Sequence, residues 1–208
     1  NKLEIQVKLM KDHPSIGLLH SAYSELYMDT NNKESKVKHS YEGILHFHDY
    51  MNRYTINLQT VIINMRNFKK YKLTFNDNLN LTGDYEMFMK LIYKCPSYFS
   101  KEILAVSRVH RNNLTKKMNQ DGAKELRIAN KNILKIMSKK DRQKFRKHLN
   151  YFAIKKDFFI QLANGNLIKA RMNIKPFIFS DPKSFIFYIS TYSKTFSEFL
   201  LDAKKRLR

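Results

Sequence analysis

FNDNLNLTGDYEMFMKLIYKCPSYFSKEILAVSRVHRNNLT, residues 75–115, decides how the chain is read. Thr82-Gly83-Asp84 opens a helix whose apolar side chains Tyr85, Phe88, Met89 and Ile92 follow the i, i+3, i+4, i+7 spacing. Asp84 therefore stands in a first turn, where the partial positive charge of the helix end favours an ionised carboxylate. That is the form a general base must hold before it accepts a proton. At about 100° per residue, Asp84 and Glu86 fall on opposite borders of the apolar stripe. One of them can look into a cleft while the other faces solvent, and they do not share one proton. Residues 96–99 and 103–106 then read as two short strands. Arg108 and His110 follow, two apart and hence on the same side of a sheet.

Upstream, residues 1–12 pattern as a helix with Leu3, Val7 and Met10 on one face, stopped at Asp12-His13-Pro14. Residues 16–23 read as a strand, and the polar stretch 27–39 as an exposed loop, either a place of partner recognition or a plain connection. Residues 42–54 read as a second helix, with Ile44, Leu45, Phe47, Tyr50 and Met51 apolar. His46 and His48 within it are rejected as metal ligands, because positions two apart on a helix point about 200° from one another. Residues 58–64 read as a strand around the apolar run Val61-Ile62-Ile63. Gln59 and Thr60, just before that run, either face an acceptor or simply end a strand.

The 208 residues suffice for one main core and a satellite. A net charge of +21 predicts attraction to polyanions: nucleic acid, anionic lipid headgroups or phosphorylated sugars. The single cysteine, Cys95, excludes an internal disulfide and suits a reducing compartment such as the cytoplasm. No run of about 18 apolar residues is present.

Beyond residue 115 the periodicity turns wholly helical, with breaks at Asn164-Gly165-Asn166 and Ser180-Asp181-Pro182. A bundle of four or five helices is expected over residues 117–208. It is rich in lysine and arginine and ends in the aromatics Phe185, Phe187, Tyr188, Tyr192, Phe196 and Phe199. A solvated basic face over an apolar core is the plainest reading of that composition. An anionic membrane surface comes next, with the aromatics as anchors, and nucleic acid last.

Gly83-Asp84-Tyr85-Glu86-Met87, Glu102-Ile103-Leu104, and Arg108-Val109-His110 with Asn113-Leu114-Thr115, in that order and spacing, resemble the second half of family-two glycosyltransferases of the GT-A fold. Each motif is a few common residues; their order carries the likeness. Lys2-Leu3-Glu4-Ile5-Gln6-Val7 with residues 13–21, and then residues 56–63, resemble the family's elements between its Asp-x-Asp metal site and its acceptor side. Gly83 departs from the family, which usually has an acidic residue there, and no Asp-x-Asp occurs in the chain.

The resemblance covers residues 1–116 and implies an α/β fold: the C-terminal, acceptor-side part of a GT-A-like mixed sheet with flanking helices, followed by an all-α tail at 117–208. It implies an inverting sugar transfer from a nucleotide-sugar donor to a glycan or lipid-linked acceptor, with Asp84 as base. Glu86, Gln59 and Thr60 would lie near the acceptor. Arg108 and His110 would lie near the diphosphate, with His110 beside a divalent cation (manganese or magnesium) held mainly by residues outside this chain. It further implies that the nucleotide-binding half lies upstream, that the chain is inactive without it, and that the protein works in the cytoplasm or on the inner face of the membrane. Two other classes fit the composition: a basic module that binds membrane or nucleic acid without chemistry, and a degenerate transferase segment serving as a scaffold.

Overall fold

Strand β1, Leu18–Tyr27, is the spine of the sheet. In the computed structural model, which describes residues 1–30, 32–36, 41–51, 54–110, 119–179 and 181–206, β1 is paired along both edges. On one side it runs parallel to β5, Ser97–Val109, in a register from Leu18↔Ser97 to Tyr27↔Val109. Its other edge is divided between two antiparallel partners. The short β4, Ile62–Ile63, pairs with Leu18 and Leu19, and β2, Asn32–Lys36, pairs with residues 23–27. The three-residue β3, Gly43–Leu45, closes the far side against Ser97–Phe99 of β5. The chain is thus mixed α/β with helices flanking a mixed sheet.

Several elements differ from the expectations, each for a local reason. The two strands expected at 96–99 and 103–106 are one strand. Ser21 pairs with Ser100 and the next residue, Ala22, with Ile103, so Lys101-Glu102 bulge out while the pairing continues. The bulge is held by Glu42, which accepts the Lys101 backbone N–H (2.9 Å) and the Tyr98 hydroxyl (3.1 Å). The stretch expected as a loop at 27–39 contains β2. It pairs with β1 through its backbone, so its polar side chains carried no apolar alternation to reveal it. The helix expected over 42–54 is not formed at the described residues 42–51; β3 leads instead into a 3-10 turn, Phe47–Tyr50. Gly43 sits at φ +141°, outside the helical region, and the Asp49 carboxylate accepts the His46 N–H (2.7 Å) to start the turn. At 58–64, Asn57 caps a 3-10 turn, Leu58–Thr60, so only Ile62 and Ile63 remain for the strand.

Helix α1, Lys2–Asp12, forms where expected, but of the expected face Leu3, Val7 and Met10 only Met10 packs inward. Leu3 is 67% exposed, whereas Gln6 is fully buried and donates its amide to the Thr60 carbonyl (2.7 Å). Leu9 and Met10 supply the apolar contact, against Ile16, Leu19 and Tyr98. A short α2, Met65–Lys70, is capped by Asn64.

Helix α3, Gly83–Lys94, is buried along most of its length: Tyr85, Met87, Phe88, Met89, Leu91 and Ile92 all enter the main core. That core does not end with the sheet. It takes in Leu126, Ala129 and Ile133 of α4, Asn119–Lys135, and Phe145, Leu149 and Ala153 of α5, Lys139–Ala163. Residues 111–118, where the expected boundary between two units falls, lie outside the described residues. With 25 residues, α5 is about 37 Å long, enough to serve two cores. Its second half packs Phe158, Phe159 and Leu162 on Ala170 and Ile174 of α6, Leu167–Ile174, and on Phe187 of α7, Pro182–Ser190. Phe187, expected as a surface anchor, is therefore a core residue. The last helix, α8, spans Lys194–Arg206. The Asn-Gly-Asn break is realised by Gly165 at φ +74° between α5 and α6.

The start of β1 approaches the end of α3 closely. A Cβ on Gly17 would stand 2.5 Å from Cys95 Sγ and 3.0 Å from Leu91 Cδ1. The Gly17 backbone is also fixed on both sides, donating to Pro96 O (2.8 Å) and accepting from Asn64 N (2.9 Å). Gly17→Ala is expected to cost about 1–3 kcal/mol through overpacking. A urea midpoint equal to that of the wild type would show that α3 sits further from the strand.

Candidate functional site at the head of α3

The loop before α3 is shaped from a distance. The Glu125 carboxylate, on α4, accepts the backbone N–H groups of Asn80 (3.2 Å), Leu81 (2.7 Å) and Thr82 (3.1 Å), and the Thr82 hydroxyl (3.3 Å). One buried carboxylate thereby neutralises donors that a turn leading into a helix leaves unpaired. Within the loop, Asn76 takes the Asn78 N–H and sends its amide to Glu86 (3.3 Å).

Asp84 emerges from this frame in the first turn. It borders a cleft of ≈ 460 Å³ lined also by Leu58, Phe75, Asn76, Asp77 and Asn80. Its Oδ1 accepts the Tyr85 N–H (2.7 Å), and among the described residues it makes no side-chain hydrogen bond and no ion pair. Burial raises its pKa above the ordinary carboxylate value; the backbone hydrogen bonds and the charge of Lys156, from α5, work in the opposite direction. The result is a cleft carboxylate that holds a proton more readily than a solvated one, against the expectation that the helix end favours its ionised form, because the cost of burial outweighs the stabilisation at the helix start.

Glu86 points elsewhere. It is 2% exposed, pairs with Lys90 one turn on, and accepts amides from Asn76 and from Asn132 of α4 (3.0 Å). The expectation that one carboxylate meets a cleft and the other solvent is thus half met: Asp84 has the cleft, and Glu86 is an internal tie. Its lone pairs are spent on the protein.

Gln59 is exposed on the turn beside Leu58, which lines the cleft, but does not line it itself. Thr60 is fully buried, its hydroxyl returned to the Asn57 carbonyl (2.8 Å), so it does not face the cleft. Arg108 and His110 are exposed at the other end of β5, and neither lines the Asp84 cleft. The residues Asn113, Leu114 and Thr115 lie outside the described residues.

His46 and His48 are not on a helix, so the angular reason for rejecting them does not apply. Their rings are parallel, with centroids 5.8 Å apart, at a second cleft of ≈ 440 Å³ by the far end of α3. Among the described residues, however, no group of three or more histidine, cysteine, aspartate or glutamate side chains could hold a metal ion.

Three participants were not singled out in the sequence: Glu125, Lys156 and Tyr54. The Tyr54 ring meets Tyr85 edge-on (centroids 4.9 Å), and its buried hydroxyl has no hydrogen-bond partner among the described residues. Burial raises its pKa well above normal, and the nearby Asp84 charge raises it further. Glu125 stands between Ala123 and Leu126, both buried, and that adjacency is the local hint of its burial.

No protein-family model and no curated protein matches this chain.

Proposed function

We propose that this chain is the acceptor-side part of an inverting, GT-A-like glycosyltransferase and that Asp84 is its general base. The observation that carries the reading is the carboxylate itself: first turn of a buried helix, bordering a cleft, free of any described ion pair, with its proton affinity raised by burial. The mixed sheet flanked by helices, and the order of the motifs at 83–87, 102–104 and 108–110, agree with it.

In the step proposed, an acceptor hydroxyl enters the cleft and its proton passes to Asp84. The oxygen forms a bond to the anomeric carbon from the side opposite the leaving group. The bond from that carbon to the diphosphate oxygen breaks, its electron pair leaves with the nucleoside diphosphate, and the configuration inverts. Asp77 and Asn80 supply the polar rim for sugar hydroxyls, and Leu58 and Phe75 the apolar faces. Arg108 and His110 keep the diphosphate-side place that the motif order gives them. Among the described residues no group of three or more histidine, cysteine, aspartate or glutamate side chains could hold a divalent cation, and the steps above are written through this chain's own residues alone.

The test is a panel of nucleotide sugars offered with manganese to the natural polypeptide that carries this sequence. Release of nucleoside diphosphate that rises when a glycan or lipid-linked acceptor is added is expected for one donor. Absence of turnover across the panel would overturn the reading.

A further inference from the structure

Helix α7 buries Phe187 but otherwise turns small hydroxyl residues inward and large apolar ones outward. Its buried positions include Ser184 and Ser190, both fully inaccessible, followed by Thr191 at 1%. Its outward positions are Phe185, 51% exposed, Ile186 and Ile189, which span about 100° of helix surface, with Tyr192 just beyond the end. The buried hydroxyls are satisfied. Ser184 bonds Tyr151 and Asp181, Ser190 donates to the Phe187 carbonyl, and Thr191 accepts from Arg171. The arrangement is therefore fixed by hydrogen bonds, and water faces three large apolar side chains on one short element, with Tyr192 beside them. Phe179, 97% exposed, stands just before it. Contiguous apolar surface of this kind marks an interaction site.

The charge around the face selects its occupant. Residues 167–208 hold nine lysines and arginines against three acidic residues, within a chain of net charge +21. Arg171 lies over the Tyr192 ring, 3.5 Å from its centroid, at the edge of the face. Lys183 is close enough to Lys155 for its charge to act with burial in lowering the Lys155 pKa. Two copies of so basic a chain repel one another, which opposes self-association through this face. Isoleucines offer nothing to a phosphodiester chain, which opposes nucleic acid. An apolar, aromatic strip rimmed by cations matches the boundary of an anionic bilayer, where rings and aliphatic chains enter the acyl region and ammonium groups meet lipid phosphates. Among the described residues no helix is long and apolar enough to cross a membrane, so the contact is a surface one.

We propose that the outer face of α7, with its basic rim, docks this protein on an anionic lipid surface. This inference stands apart from the transfer reading and does not need it. The experiment is co-sedimentation with phosphatidylcholine vesicles with and without 30% phosphatidylglycerol, comparing wild type with Phe185→Ser/Ile189→Ser. Binding to anionic vesicles is expected to exceed binding to neutral ones by at least tenfold, to weaken as salt rises from 0.1 to 0.5 M, and to fall at least tenfold in the double variant.

Both substituted side chains are exposed, so the variant should keep its circular dichroism and melting curve. As a second readout, an environment-sensitive dye on Ile189→Cys should shift to the blue when anionic vesicles are added. Equal binding by wild type and variant, no binding at all, or an unshifted dye would overturn the proposal. So would a wild-type dimer in light scattering that the double variant abolishes, or displacement from vesicles by duplex DNA that the variant resists equally.

Discussion

Asp84→Asn should slow acceptor-dependent sugar transfer by roughly 10²–10⁴-fold, the range that a positioned general base supplies, and leave the fold intact. Asparagine keeps the size and a hydrogen-bond acceptor for the Tyr85 N–H but cannot take a proton at neutral pH. The stability consequence has a definite sign. The pKa of Asp84 is raised in the fold by burial, ahead of the opposing hydrogen bonds and Lys156. Its protonated form therefore contributes stability that is fully present below the unfolded value, near 3.9, and is lost as pH rises through the folded value. At pH 7 the ionised carboxylate is a net burden, and the variant should melt at the same temperature or slightly higher. That advantage should vanish on acidification. Loss of turnover together with an unchanged or higher melting temperature is the signature of a group kept for chemistry. A variant that loses both would make Asp84 a structural cap.

Glu125→Ala is expected to have the largest effect on stability, about 3 kcal/mol, because it removes a charged acceptor from three backbone donors and one hydroxyl at once. Thr82 is itself buried, so its N–H would be left in the protein without compensation. The consequence reaches the site: without Glu125 the loop at 80–82 no longer fixes the entry into α3, and the cleft wall formed by Asn80 moves with it. Denaturant titration should show the loss. Hydrogen exchange should place the fastest new exchange at residues 80–82. A ΔΔG under 0.5 kcal/mol with unchanged exchange there would mean that water replaces the carboxylate freely.

These two residues mark what could and could not be read from the sequence. Asp84 was legible because its information is local: a Thr-Gly-Asp start, then apolar side chains at helical spacing. The helices beyond residue 119 and the Gly165 break were legible for the same reason. Glu125 acts on residues more than forty positions away, and nothing in its neighbours announces that. Glu86 shows the same blindness. Its border position was correct, but Asn132 and Lys90 turn that border into the interior. At 42–54 the failure was of another kind, since Ile44, Leu45, Phe47, Tyr50 and Met51 imitate a helical stripe while Gly43 and the Asp49 cap enforce a strand and a turn. Strand β2 was invisible because backbone pairing to β1 needs no apolar pattern on its side chains.

Helix α5 carries a lesson about architecture. The wholly helical periodicity beyond residue 115 is read as a bundle of its own, yet Phe145, Leu149 and Ala153 share a core with Phe88 and Leu91. Lys156 from the same helix acts on Asp84. Part of the helical region therefore helps to shape the candidate site.

The functional reading turns on Asp84 being a cleft carboxylate with raised proton affinity, and its own titration tests that most directly. Carboxyl carbon NMR on protein labelled at aspartate, with Asp84→Asn to assign the signal, would follow its ionisation with pH. The account predicts a resonance that titrates above the ordinary aspartate value and disappears in the variant. An Asp84 that titrates at or below that value would contradict it, and would leave the residue as a helix start held ionised by the end of α3.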